Sequence, residues 1–319
     1  MTLEIVPYKG SQEARANRWV LDDPENLRRK TIEAARDRDL ETLWEIFEAF
    51  LVQDFGPSKH TIKAYKQGFD LLLEQLSEQT ITKPSKHFGN QFVRGLEKRE
   101  NARHYLTGKT IKPATIRSRV AAAKGFYAAL RWAGATEADP FAGVRIKSDK
   151  EAAEDKRLPY PLEAIDELLI YAKPRERAIL LLGGHGGLRN GEISALKKED
   201  LHLEVRQLQV QKGKGDKPRR VDLSKRLCEA LLALELKPGQ AVIGLTPQGI
   251  REAIRRLCKK NNVAYQGIHS LRHTAGTRLY RATKDLKTVA KHLGHSKIET
   301  AAVYAKFADD TVRNVVTEW

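Results

Sequence analysis

The chain has 319 residues, 41% of them hydrophobic, and its 57 lysines and arginines exceed its 41 aspartates and glutamates to give a formal charge of +16. This length favours two domains, and the charge favours a polyanionic partner, with nucleic acid as the first candidate. The sequence has no apolar run long enough for a membrane span, no signal-peptide core and only two cysteines, which predicts a cytoplasmic protein without a membrane partner.

The N-terminal part of the chain changes character near residue 39. Residues 1–38 are polar and charged without a sustained apolar period, and we predict an arm that is mobile or docks late. Residues 39–145 have helical apolar spacing and helix-start residues such as Ser58 and Pro113, which predicts a small helical DNA-binding domain. The last of its helices carries basic residues that are candidate DNA contacts, or only a solvated face: Arg117, Arg119 and Lys124.

A charged segment that contains few large apolar residues, 146–159, is predicted to link this domain to a second domain over 160–319. Early in the second domain, a glycine-rich turn runs into a predicted helix at Arg189, with Glu192 three residues further on. Backbone amides and an arginine at such a position can bind a phosphate together. A glycine-rich turn alone is weak evidence, since most are simply turns.

Two further segments of this domain carry positive charge. Residues 206–211 and 218–223 alternate polar and apolar side chains around a Gly-Lys-Gly-Asp turn, which predicts a β-hairpin with Lys212, Lys214 and Lys217 at its tip. Lysines at a hairpin tip are usually only solvated. The predicted helix over 247–260 is a candidate to lie along a DNA backbone or groove through its exposed basic residues: Arg251, Arg255 and Arg256.

Near the C-terminal end, His269, Arg272 and His273 share one face of a predicted helix opened by Ser270. Arginine and histidine at a helix start are typical of an anion site. We expect His273 to be a packed or capping residue.

The chain is then predicted to turn at Gly294, a left-handed helix cap, which puts His295 at a corner between helices. Nine residues later, Tyr304 lies among small neighbours that leave its hydroxyl uncrowded. We expect His292, in the turn before this corner, to face solvent.

The motifs HSLRH and LGHS, the tyrosine nine residues after that last histidine, and GLR followed by Glu and Leu resemble the tyrosine recombinases, the phage integrase and Xer-like family. The stretches SKHTIKAYKQGFDLLL and DPFAGV are weaker points of likeness. The resemblance implies a mainly α fold, with a helical, SAM-like core-binding domain and an α-rich catalytic domain that holds a small antiparallel sheet. Gly186 and Ala301 stand where the family commonly has threonine, which removes no reactive group.

The resemblance also implies roles for individual residues. Tyr304 would attack phosphorus to form a 3′-phosphotyrosyl intermediate, and Lys214, or Lys212 if the register differs, would protonate the leaving 5′ oxygen. Glu192 would orient Arg189, and no metal or cofactor is required. The implied catalytic set is Arg189, Lys214, His269, Arg272, His295 and Tyr304.

The implied activity is site-specific cleavage and rejoining of double-stranded DNA, for integration, excision or chromosome-dimer resolution, by a protein associated with the nucleoid. In the family the segment after the nucleophile is exchanged between protomers, so residues 308–319 predict weak self-association alone and a tetramer on paired DNA sites.

Three alternatives remain open at this stage. A metal-dependent nuclease would use as ligands His269, His273, His292 and His295, although no carboxylate or cysteine is placed to complete such a site. A type IB topoisomerase would share the tyrosine chemistry and the catalytic fold. A DNA-binding regulator would keep the fold without using the six catalytic groups.

Overall fold

A computed structural model of the chain describes residues 19, 23–55, 57–76, 80–98, 111–147, 158–211, 218–295 and 298–308. The chain divides into two compact units, Met1–Lys150 and Glu151–Trp319. The predicted fold class is confirmed, because both units are mainly helical and the second holds a small antiparallel sheet. Within the described ranges no helix is long and apolar enough to cross a membrane.

The first unit is a helical domain built around an aromatic core. Its helices are α1 (Pro24–Asp37), α2 (Leu40–Phe55), α3 (Lys59–Gln75), α4 (Phe88–Lys98) and α5 (Pro113–Trp132). The predicted start signals act as expected, since the Ser58 side chain accepts from the Thr61 amide at 3.2 Å and Pro113 occupies the first position of α5. Phe47, Phe69 and Phe126 are buried and pack edge-to-face or tilted against one another, which fixes how α2, α3 and α5 meet.

Part of the segment predicted to be an arm that is mobile or docks late is an ordered helix over residues 24–37. The buried stripe of α1 consists of Leu27, Thr31, Ala34 and Ala35, which is short of large apolar groups and therefore gave no clear period. Thr31 can be buried because its hydroxyl donates to the Leu27 carbonyl at 2.7 Å. Of the remaining arm, residues 1–18 and 20–22 lie outside the described residues.

Arg119 holds two helices together, and its role as a DNA contact stays a prediction. Helices α3 and α5 approach closely at Gly68, where a Cβ atom would lie 2.5 Å from the Cβ of Ala122. Beside this contact the Arg119 guanidinium donates to the Ala64 carbonyl at 2.7 Å and to the Gln67 side chain at 2.6 Å. Arg117 and Lys124 are exposed on α5, and their DNA contacts stay a prediction.

The second unit packs helices around the buried helix α7. Its helices are α6 (Leu162–Tyr171), α7 (Pro174–Gly184), α8 (Asn190–Ala195), α9 (Lys225–Leu232), α10 (Pro247–Lys260), α11 (Ile268–Thr283), α12 (Leu286–Leu293) and α13 (Ala302–Ala308). Every residue of α7 from Ala178 to Gly184 is buried. A side chain on Gly183 would clash with Leu271 of α11, with its Cβ only 2.8 Å from that residue's Cβ. This close approach fixes α11, which carries several candidate site residues, against the core.

The sheet contains β1 (Leu201–His202), β2 (Gln207–Val210) and β3 (Arg219–Asp222) in that order, with antiparallel neighbours. Strands β2 and β3 are the predicted hairpin, and Leu208 pairs with Val221 on its buried face. The short strand β1 was not predicted. The hairpin tip, residues 212–217 with Lys214, lies outside the described residues, as do residues 309–319 of the tail.

Candidate active site

The glycine-rich turn places Arg189 at the start of α8 and against α12. Gly187 has a φ of +65°, and a Cβ atom there would lie 2.3 Å from Leu293. The chain therefore needs glycine at this point both for its left-handed backbone and for the close approach. Arg189 follows as the residue that precedes the first turn of α8, with 27% of its side chain exposed.

The carboxylate of Glu192 accepts hydrogen bonds from two arginines. It accepts from the Arg189 amide and from Nη1 of Arg189, both at 2.8 Å, which places it where it can orient the Arg189 side chain. Arg219 of β3 donates Nη1 and Nη2 to the two carboxylate oxygens, also at 2.8 Å each. Only 5% of the Glu192 side chain and 11% of the Arg219 side chain are exposed, so neither competes with Arg189 for a ligand.

Sequence reasoning missed Arg219, although a signal was present. Side chains at alternate positions of a strand point to the same face, so Arg219 shares its face with the buried Val221. An arginine on the buried face of a strand needs an anionic partner. The carboxylate at Glu192 provides it.

Glu192 stays ionised because of these donors. Burial alone would raise its pKa, but the hydrogen bonds from Arg219 and from the Arg189 amide outweigh burial and lower the pKa to about 2. The two guanidinium groups and one carboxylate leave one positive charge at the partly exposed Arg189.

Arg272 is 1% exposed and joins the two segments that carry Arg189 and His295. Its Nη1 donates to the Gly187 carbonyl at 2.5 Å and its Nη2 to the Leu293 carbonyl at 2.6 Å. Burial and the nearby Arg189 lower its pKa to about 10, so the guanidinium remains charged at neutral pH. Arg189 also reaches this corner, since its Nη2 donates to the Gly294 carbonyl at 3.3 Å. Two arginines that are distant in sequence therefore meet at one turn.

Tyr304 is packed into the same cluster and is only 1% exposed, so the expectation of an uncrowded hydroxyl is wrong. Its ring lies on Gly276 of α11, where a Cβ atom would be 2.6 Å from its Cε1. The His295 ring stacks on it with centroids 5.9 Å apart and planes at 14°, and the His273 ring lies at 5.7 Å. The positive charge of Arg272 acts directly on the Tyr304 hydroxyl and favours its ionised form.

The electrostatics of this cluster keep both the phenol and the imidazole neutral. Burial raises the pKa of Tyr304 above its ordinary value, although Arg272 and Arg189 act in the opposite direction. Burial and the positive charge of Arg272 and Arg189 lower the pKa of His295 to about 4. The Nδ1 atom of His295 is buried and has no hydrogen-bond partner within the described part of the chain. It is therefore a polar atom held ready for a ligand.

Two further histidines that the sequence analysis singled out differ in exposure. His269 is exposed at the start of α11, which begins at Ile268 rather than at Ser270, and its ring contacts His273 with centroids 4.8 Å apart. His292 does not face solvent as expected, because it is half-buried, and burial lowers its pKa. In the described ranges no group of three or more histidine, cysteine, aspartate or glutamate side chains is arranged to hold a metal ion.

The basic residues of α10 are exposed but lie apart from this cluster in the hydrogen-bond network. Arg251 donates to Gln248 of the same helix. Arg255 donates to Glu252 and lies over the Tyr265 ring at 5.0 Å. Arg256 is exposed. Nothing in these contacts prevents the three from meeting a DNA backbone, which stays a prediction.

The Glu192 network predicts an acid-dependent loss of stability. The folded-state pKa of about 2 lies below the ordinary value of 4.5, so the ionised carboxylate stabilises the fold fully above pH 4.5. This contribution, about 3 kcal/mol for such a shift, declines as the pH falls toward 2. We expect Glu192→Gln to lower the free energy of unfolding at pH 7, with the difference from wild type shrinking below pH 4.5. Urea unfolding at several pH values measures the difference in the free energy of unfolding between this variant and wild type. A difference that does not change with pH contradicts this account.

Comparisons with known proteins agree with this geometry. Residues 162–310 match the phage integrase family, and residues 45–134 match the phage integrase N-terminal SAM-like domain. The tyrosine recombinase XerC of Bacillus pumilus (strain SAFR-032) is 31% identical over 67% of this chain and 78% of its own length. The tyrosine recombinase XerD of Lacticaseibacillus casei is 28% identical over 82% of this chain and 93% of its own length.

Solved structures share the fold at low sequence identity. The XerH site-specific recombinase bound to a palindromic difH substrate, in a post-cleavage complex, matches with a TM-score of 0.62 and 18% identity over 100% of this chain and 99% of its own. A lambda integrase dimer bound to a COC′ core site matches with a TM-score of 0.64 and 16% identity over 93% of this chain and 86% of its own. Sequence relatives, domain matches and fold agree, and the chain belongs to the tyrosine recombinase family as a DNA strand transferase.

Proposed function

We propose that this protein is a site-specific recombinase that cleaves and rejoins duplex DNA through a 3′-phosphotyrosyl intermediate on Tyr304. The observation that carries the proposal is the cluster in which Tyr304, stacked on His295, lies beside Arg272, with Arg189 at the same turn. A phenol and two guanidinium groups at one point are what a phosphodiester needs from a nucleophile and from ligands for its oxygens.

The reaction is a transfer of the phosphoryl group to tyrosine and back. The Tyr304 oxygen gives its proton to His269 and bonds to phosphorus, while the bond from phosphorus to the 5′ oxygen breaks and the departing oxygen takes a proton from Lys214. Arg189 and Arg272 bind the non-bridging oxygens as negative charge grows on them in the transition state. A 5′-hydroxyl of the same or another strand then attacks the phosphotyrosine, which restores the diester without a cofactor.

The histidines complete the shell around the phosphate. His295 is neutral at pH 7 because its pKa is about 4, and its free Nδ1 can hydrogen-bond a phosphate oxygen. His269 is exposed at the start of α11, where an incoming phosphate can reach it. Because Tyr304 is only 1% exposed, its hydroxyl comes within attack distance of a phosphorus atom only after α13 shifts away from Gly276.

The proposed partner is double-stranded DNA at paired recombination sites, bound by a tetramer in the cytoplasm at the nucleoid. The formal charge of +16 favours such binding, and exposed basic residues in each unit provide phosphate contacts. In the first unit these are Arg117 and Lys124, and in the second Arg251, Arg255 and Arg256. Two solved structures of the same fold carry recombination-site DNA. The proposed task is integration, excision or dimer resolution.

Covalent trapping tests the nucleophile. The protein is incubated, in EDTA, with nicked duplexes that tile the DNA around its own gene, because a nick lets the short cleaved strand escape and traps the adduct. We expect a covalent adduct with wild type and with Tyr280→Phe, a matched control on α11, and none with Tyr304→Phe. An adduct that persists in Tyr304→Phe, or one that forms only with added metal, contradicts the proposal.

Changing the leaving atom of the DNA substrate tests whether Lys214 is the general acid. With an ordinary 5′ oxygen, we expect Lys214→Ala to slow adduct formation by about 100-fold or more, as loss of a general acid does. With sulfur in place of that bridging oxygen, the leaving thiol has a pKa of about 8.5 and needs no proton, so the variant should recover the wild-type rate. Lys212→Ala is the matched control and should behave as wild type on both substrates. Rescue of Lys212→Ala instead would assign the general acid to Lys212.

A further inference from the structure

Arg219 is a buried arginine with no role in the reaction as described so far, yet it makes two of the four hydrogen bonds to Glu192. We propose that Arg219 is a positioning residue for DNA cleavage, which fixes Arg189 on the scissile phosphate through the Glu192 carboxylate. This inference rests on the proposed function, because it assigns Arg219 to the same transition state.

The hydrogen-bond geometry assigns Arg219 the role of orienting the carboxylate. Each Glu192 oxygen accepts one bond from Arg219 and one from Arg189, all at 2.8 Å. A bidentate guanidinium sets both the position and the rotation of a carboxylate plane. The carboxylate in turn sets the direction of the Arg189 fork. Rotation of Glu192 would therefore misdirect Arg189 even though Arg189 itself is intact.

Arg219 cannot serve as a direct phosphate ligand in this arrangement. Only 11% of its side chain is exposed, against 27% for Arg189, and both its Nη atoms are committed to Glu192. Its stem also lies under Gly294, where a Cβ atom would be 2.6 Å from its Cδ. The Gly294 carbonyl accepts from Arg189, and His295 follows directly. Arg219 thus lies behind both the phosphate arginine and the corner that carries His295.

Charge supports the same role. Without Arg219, the buried Glu192 would neutralise Arg189 in a one-to-one pair and reduce the field available to a phosphate. With Arg219 present, the three groups carry a net charge of +1, and Arg272 adds a second positive charge beside them. We therefore expect loss of Arg219 to weaken binding of the transition state more than binding of DNA, whose phosphates are contacted over a wide surface.

The test uses the full chain and a nicked duplex on which wild type forms the adduct. Arg219→Lys keeps the charge but cannot hold both carboxylate oxygens in one plane. We expect adduct formation to slow by about 10- to 100-fold, as small misplacements of a ligand do, while DNA affinity stays near wild type. The matched control is Arg220→Lys, the next residue of β3, which is exposed on the opposite face and should retain the wild-type rate.

Two further measurements separate positioning from other roles. In a Glu192→Gln background, Arg219→Lys should slow the reaction no further, because the residue acts through that carboxylate. With sulfur as the bridging leaving atom, Arg219→Lys should stay slow relative to wild type, because its defect lies at the non-bridging oxygens. If Arg219→Lys does not fold, Glu192→Asp carries the rate measurement, since it keeps the anion and shortens its reach to both arginines.

Different results would contradict the proposed function and the positioning role of Arg219. A wild type that forms no adduct contradicts the proposed function itself. A wild-type adduct together with an unimpaired Arg219→Lys, or an unimpaired Glu192→Asp if that variant replaces it, contradicts only this inference. So does additive slowing in the double variant, or full recovery on the sulfur substrate, which would place the effect of Arg219 at the leaving group.

Discussion

The buried carboxylate of Glu192 is the interaction on which the candidate active site depends. It accepts four N–H donors at 2.8 Å from Arg189 and Arg219, and so joins the start of α8 to strand β3. A buried anion is costly unless its charge and its lone pairs are matched, and here two arginines match both. The same pairing leaves an excess of positive charge directed at the partly exposed Arg189. A stabilising network and a phosphate site are thus one arrangement.

The second constraint is that Arg272 and Tyr304 share a buried environment. Arg272 already directs its Nη atoms to two backbone carbonyls and lies beside the phenol, so these groups are ordered before any DNA arrives. Preorganised donors need little rearrangement when charge develops on the phosphate oxygens. Burial of the phenol raises its pKa and keeps it protonated. In the proposed reaction the short helix α13 must therefore move, which would make reactivity depend on DNA binding.

The sequence predicted which residues lie together better than it predicted how they pack. Spacing on helices and the tyrosine recombinase motifs singled out Arg189, Glu192, Arg272, His295 and Tyr304, which the structure brings into one cluster. The bounds of α10 were correct, because capping residues and amphipathic periods are local signals. The burial of Tyr304 was missed, since it depends on the close approach of Gly276 from another helix. Arg219 was missed because its partner, the Glu192 carboxylate, lies 27 residues away in the sequence. The helix over 24–37 was missed because it buries small side chains, which carry little periodic signal.

The central claim is that Arg189, Arg272 and Tyr304 meet at a single phosphorus atom. The most direct measurement is a structure of Tyr304→Phe bound to an intact recombination site, in which the scissile phosphate is held but not attacked. We predict that both guanidinium groups lie within about 3 Å of its non-bridging oxygens, that Glu192 still bridges Arg189 and Arg219, and that the substituted aromatic ring faces the phosphorus opposite the 5′ oxygen. A scissile phosphate contacted by only one of the two arginines, with the other still turned to its backbone carbonyls and away from the DNA, would contradict the account.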